Sequence, residues 1–151
     1  MKVVLCVDGS TSAEEAFSWY FRSFHTQGNE VLAVYVGNQP HLPSFVFYEE
    51  AVFPKEEFQR AVQKCKSKME EMKAKYLSKA KAMQVNCQFR VLVGDGGSPG
   101  ETLASFLESE NADLVIVGSR GMGKIRRTVL GSVSDFLVHH AKVPVLVFRE
   151  E

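Results

Sequence analysis

The strongest constraint on this chain is the alternation of two kinds of segment. Five short runs are dominated by Val, Leu, Ile and other apolar residues: VVLCV (3–7), VLAVYV (31–36), CQFRVLV (87–93), DLVIVG (113–118) and VPVLVF (143–148). Four of them are apolar nearly throughout. A strand wetted on one side alternates apolar and polar residues, whereas an unbroken apolar run suits a strand covered on both faces, as in a parallel sheet. Between these runs lie helical patterns. STSAEEAFSWYFRSFH (10–25) opens with Ser10, Thr11 and Ser12 as candidate caps and is ended by Gly28. The segment 55–83 repeats Phe58, Ala61, Val62, Cys65, Met69, Met72 and Tyr76 at helical spacing. PGETLASFLES (99–109) carries Pro99 in its first turn, and SVSDFLVHHA (132–141) follows Gly131. The order β-α-β-α-β-α-β-α-β predicts an α/β fold: a single domain over 1–151, with one open five-stranded parallel sheet and helices on both faces.

Composition narrows the function classes. A chain of 151 residues suffices for one hydrophobic core. Its 18 basic and 18 acidic residues cancel, so no overall field favours nucleic acid or an acidic membrane, and neither is expected as a partner. Cys6, Cys65 and Cys87 are odd in number and widely spaced, which suits reduced thiols in a cytoplasmic compartment better than a disulfide framework or a zinc site. The apolar start MKVVLCV stops at Asp8, too short for a signal peptide or a membrane span.

In open α/β sheets the ligand crevice forms beyond the carboxyl ends of the strands, where the strand order reverses. Asp8 stands at the end of the first strand. Gly118 ends the fourth and opens GSRGMGKIRRTVLGS (118–132). Counted from Gly118, the segment reaches Gly123 and Lys124 like a phosphate-binding P-loop, but Ile125 stands where a Ser or Thr must hold magnesium. A P-loop also joins the first strand of its domain to a helix, and this segment follows the fourth. A second spacing is intact: Gly118-x2-Gly121-x9-Gly131-Ser132, with the last pair beginning a helix. The first amides of a helix have no intrahelical acceptor and lie at the positive end of its dipole, which makes an anion site.

This spacing, together with VDGS, GDGGSPGETL, ADLVIVGSRG and VPVLVF in that order, resembles the ATP-binding branch of the universal stress protein family over essentially the whole chain. The resemblance implies a Rossmann-like sheet that binds ATP, with or without Mg2+, and a homodimer formed through strand 143–148. It also assigns roles: Asp8 to the ribose near adenine, Val36 to adenine, Gly118 and Gly121 to close backbone approach, and Gly131, Ser132, Val133 and Ser134 to the phosphates. No role carries over to Arg120. Lys124, Arg126 and Arg127 form a basic patch that suits phosphate and a solvated loop equally well.

Several residues have plainer readings. Asp8 could cap the first helix, and Ser132 with Asp135 resembles a capping box. Gly94, Gly96, Gly97 and Gly100 read as a tight strand-to-helix turn. His139 and His140 are adjacent on a helix and point apart, which disfavours a metal pair. The lysines between 64 and 81 read as the wet face of a long helix. Residues 37–54, with three prolines and four aromatics, make a long connection to which the resemblance gives no role. The glycine segment contains no carboxylate or histidine to serve as a base, and Asp95 and Asp135 have no positional support as one. A flavin-binding or adenylate-transferring enzyme would need a different loop after the first strand than DGSTS. The reading is an ATP-binding, stress-response regulatory protein with at most slow hydrolysis and no assigned catalytic residue. The alternative is an ATP-independent dimeric interaction module of the same fold.

Overall fold

A computed structural model describes residues 1–37, 55–94, 97–119 and 130–149. The five apolar runs form β1 (Lys2–Val7), β2 (Glu30–Gly37), β3 (Gln88–Val93), β4 (Leu114–Gly118) and β5 (Val145–Phe148). They pair side by side, all parallel, in the order β3-β2-β1-β4-β5. The helices are α1 (Thr11–Trp19), α2 (Lys55–Ala82), α3 (Pro99–Ser109) and α4 (Ser132–His140). The expected single-domain α/β sheet is what the chain forms.

The pleat divides the strands between two cores. Val3, Leu5 and Val7 of β1 point to one face with Val31, Ala33 and Tyr35 of β2, where α1 brings Ala16 and Phe17 and α2 brings Met72, Tyr76 and Ala80. Val4 and Cys6 point to the other face with Leu32, Val34, Val115 and Val117, covered by Leu103 and Leu107 of α3 and Leu137 of α4. Successive strand residues serve opposite cores, so β1 cannot alternate in polarity and still fill both. The edge strands are less covered. All of β5 is half-buried, and Val91 and Val93 of β3 are exposed.

One helix departs from expectation. The periodic stretch 10–25 does not continue as one α-helix: after Trp19 the chain widens into a π-helical turn, Tyr20–Phe24, closed by His25 N–H donating to Tyr20 O at 2.8 Å. Tyr20 stays fully buried there, while Trp19 stacks on Phe24 and leans on Phe148 of β5. The extra residue per turn lets neighbouring aromatics reach both the core and β5, which a regular helix would place differently. The end of α2 fell where its periodicity placed it, with Gln84 in the left-handed region at φ 55° and Val85 N–H bonded to Ala80 O.

Candidate functional site

The strand order reverses between β1 and β4. From β1 the connections run outward through β2 to β3, then return across the sheet to β4 and on to β5. The carboxyl ends of β1 and β4 therefore diverge into loops leaving in opposite directions, and the crevice between them is where such folds take ligands. Asp8 lies just past the end of β1 and Gly118 is the last residue of β4. The sequence thus placed both at the observed switch point.

The turn from β1 into α1 is built by hydrogen bonds within it. Gly9 adopts φ +81°, which side-chain-bearing residues rarely take, and this lets Asp8 fold back on the helix start. Asp8 Oδ1 accepts from Ser10 N–H at 2.9 Å and from Ser10 Oγ–H at 2.6 Å. Ser10, not Asp8, is the cap: its Oγ accepts from Ala13 N–H at 3.2 Å. Asp8 steadies that cap with one carboxylate oxygen. The carboxylate as a whole is half-buried.

Gly118 is required by packing. A Cβ there would lie 2.7 Å from Ser12 Oγ and 3.0 Å from Ala13 N, so the first turn of α1 sits directly on the bare backbone of β4. Ser119 then ties three elements together. Its N–H donates to Phe148 O of β5 at 2.7 Å, and its carbonyl accepts from Gly131 N–H at 2.8 Å. The second bond fixes the start of α4 against the end of β4.

The helix starts on this edge differ in a telling way. At α3 a full capping box closes the helix: Ser98 Oγ accepts from Glu101 N–H at 3.3 Å, and Glu101 Oε2 accepts from Ser98 N–H at 2.7 Å. The pattern Ser98-x-x-Glu101 was legible in sequence but hidden in what read only as a glycine turn. At α4 the cap is Gly131, which has no side chain to close it, so Ser132 is the first helical residue and the Ser132–Asp135 capping box does not form. The first intrahelical bond is Asp135 N–H to Gly131 O at 2.8 Å, leaving the amides of Ser132, Val133 and Ser134 ahead of the helical ladder.

Val36 follows Tyr35, the register partner of Val7, so it stands beside Asp8 with its half-buried side chain on the α3–α4 face. Ser132 is exposed and Val133 packs on the same core as Val36. Ser134 is 1% exposed, and its hydroxyl is committed inward, donating to Gly131 O at 2.9 Å with Ser119 O at 3.4 Å. Its hydroxyl thus helps fix the α4 start, and its amide is the part that faces the helix end. Gly121, Arg120, Lys124, Arg126, Arg127, Asp95 and the connection 38–54 lie outside the described residues. His139 and His140 each bring Nδ1 to the carbonyl four residues earlier, Asp135 O at 2.8 Å and Phe136 O at 2.9 Å.

Three residues at the site do more than their sequence readings state: Ser12 reads as a candidate cap, Tyr76 as an apolar position of α2, and Ser119 carries no reading of its own. Ser119 acts through its backbone, and nothing in a lone Ser after Gly announces that. Ser12 and Tyr76 are buried, and the hydroxyls of both lack a hydrogen-bond partner among the described residues. Burial pushes the Cys6 thiol, on the floor of β1, up to about 12, with the Asp8 carboxylate adding to the effect, so this thiol is inert at neutral pH.

An open parallel sheet whose strand order reverses between β1 and β4, with a carboxylate and a helix start lacking a side-chain cap at the switch point, defines a doubly wound α/β protein. The chain belongs to the universal stress protein family, which it matches over residues 1–149. Among relatives, it is 25% identical to universal stress protein A-like protein of Arabidopsis thaliana, across 98% of this chain and 89% of that one. It is 30% identical to a universal stress protein of Mycobacterium tuberculosis, across 98% of this chain but only 45% of that longer protein. Among solved structures, a universal stress protein family protein from Arabidopsis thaliana with AMP bound superposes with a TM-score of 0.70 at 23% identity, covering 100% of this chain and 92% of that one. A universal stress protein in complex with cAMP gives 0.66 at 20% identity, covering 100% and 98%. Among the described residues, no helix is long and apolar enough to cross a membrane.

Proposed function

We propose that this chain is an ATP-binding regulatory protein of the stress-response type, with at most slow ATP hydrolysis. The observation that carries the reading is the contrast among helix starts: α1 and α3 are closed by their own side chains, while α4, held against β4 at the switch point, opens on a glycine with no side-chain cap. Phosphates would take the amides of Ser132, Val133 and Ser134 there. Gly118 and Gly121 would bring backbone close to the ligand, Val36 would flank adenine, and Asp8, with one oxygen on Ser10, would offer the other to ribose hydroxyls. AMP and cAMP, bound by two structural relatives, share the adenosine part of ATP. Among the described residues no three His, Cys, Asp or Glu converge on a metal position, so Mg2+ would enter on the phosphate oxygens of the ligand.

Calorimetry with ATP and Mg2+, together with mass spectrometry of nucleotide released from freshly purified protein, tests the reading. Binding that Gly131→Val weakens supports it; absence of binding at millimolar ATP refutes it. Turnover should fall far below the enzyme median of about 10 per second, since the site described contains no group placed as a base.

The second reading, a dimeric interaction module, draws on β5. Val145, Leu146, Val147 and Phe148 are half-buried on an edge strand with one side unpaired in the sheet. An apolar edge of this kind invites a second strand, and two copies pairing antiparallel through 143–148 would form a two-fold homodimer. Such a dimer is compatible with nucleotide binding on the opposite side of β4, so the two readings differ only in whether ATP is needed.

A further inference from the structure

The Asp8–Gly9 turn is gripped from the α2 side as well as from α1. Met72 lies against Gly9, its methyl carbon 2.7 Å from where a Cβ would stand. One turn along α2, Tyr76 is 1% exposed, its ring set edge-on to Phe17 of α1 at 5.1 Å and stacked with Phe89 of β3 at 6.4 Å. Its hydroxyl has no hydrogen-bond partner among the described residues, and the Gly9 backbone lies close enough to bear on it. Burial raises the pKa of this phenol, and the Glu14 and Asp8 carboxylates raise it further, so it stays a protonated donor within electrostatic reach of Asp8. A buried hydroxyl left without a partner destabilises the free protein, and phenylalanine would fill the same space without that cost.

We propose that Tyr76 is a positioning residue of the nucleotide site, a buried donor set against the Asp8–Gly9 turn that gains its hydrogen bond when a ligand engages Asp8. The inference rests on the ATP-binding reading above. With Oδ1 holding Ser10, Asp8 is steered from the α1 side among the described residues. A ribose hydroxyl donating to the other oxygen draws the turn into the crevice, and the phenol then donates to the carboxylate from the α2 side. An interaction absent in the free state and made in the bound state tightens binding by its full value. The same bond would fix the carboxylate that reads the ribose.

The test uses the full chain and its Tyr76→Phe variant, titrated with ATP and with 2′-deoxy-ATP in Mg2+, alongside thermal unfolding without ligand. The expected result is an unfolding temperature equal to or above that of the wild type, an ATP affinity lower by about tenfold, and a smaller preference for ATP over the deoxy analogue. Unchanged ATP affinity in the variant, while the wild type binds, overturns this inference and leaves the ATP-binding reading intact. A lowered unfolding temperature overturns it too, because it shows the phenol already bonded in the free protein, to water or to backbone. A wild type that binds neither nucleotide removes the ATP-binding reading and this inference together.

Discussion

Gly118→Ala separates what the end of β4 does for packing from what it does for a ligand. The new methyl would stand 2.7 Å from Ser12 Oγ, 3.0 Å from Ala13 N and 3.0 Å from Ser12 C. The first contact could be relieved by rotating a side chain. The other two are backbone atoms in the first turn of α1, so that turn must lift by a few tenths of an ångström, and the Ser10 cap and Asp8 bonded to it would move as well. Overpacking of this sort costs about 1–3 kcal/mol. For a domain of this size that lowers Tm by about 3–9 °C. Gly97→Ala is the control: its methyl meets mainly Glu101 Oε2 at 2.8 Å, the mobile end of a side chain, so only half of one capping box is at stake and the loss should be about 1 kcal/mol or less. Thermal unfolding followed by circular dichroism, with hydrogen exchange at the Ala13 amide, reads both variants. If Gly118→Ala unfolds within about 1 °C of the wild type, the close seating of α1 on β4 is wrong, and a loss of ATP binding in that variant would then be a direct ligand effect.

Gly131→Asp should supply the side-chain cap that α4 lacks and stabilise the protein by about 1 kcal/mol while weakening ATP binding through charge repulsion; undiminished affinity by calorimetry would move the phosphates elsewhere. Ser134→Ala should lower stability by about 1 kcal/mol in urea unfolding, since it removes the donor to Gly131 O, yet leave ATP affinity nearly unchanged because the amide remains. The Cys6 thiol is raised to about 12 and Cys87 to about 11, both by burial, from 9.0 in the open chain. Above pH 9 the unfolded state therefore binds fewer protons than the native one, so stability should be level below pH 9 and fall between pH 9 and 12, with Cys6→Ala flattening part of the slope in urea titrations. Val147→Lys should shift a dimer toward monomer in sedimentation equilibrium at tens of micromolar, and a wild type that sediments as a monomer would refute pairing through β5.

The sequence by itself determined the five strands, the four helices between them and the two strand ends, at Asp8 and Gly118, that flank the switch point. These are local properties: an unbroken apolar run states that both faces of a strand are covered, and a carboxylate or glycine at its end keeps its place whatever the neighbours do. Gly131 at the start of α4 was legible for the same reason. The tertiary structure decided which groups those residues meet. Ser134 stands in the same helix start as Ser132, yet its hydroxyl turns inward because Ser119 O, fifteen residues earlier, arrives beside it. Asp8 is a support for a cap only because Gly9 turns left-handed and brings Ser10 within reach. Tyr76 reads in sequence as one more apolar position of a long helix, and becomes a buried donor without a partner among the described residues only when α2 packs against the turn after β1. The break of the first helix into a π-turn has the same origin, since Trp19 and Phe24 settle where Phe148, from the far end of the chain, comes to lie. Periodicity encodes dihedral preference and burial along one segment, whereas the partner of a hydroxyl or a ring depends on how segments distant in sequence cross, and that is fixed only by the packed sheet.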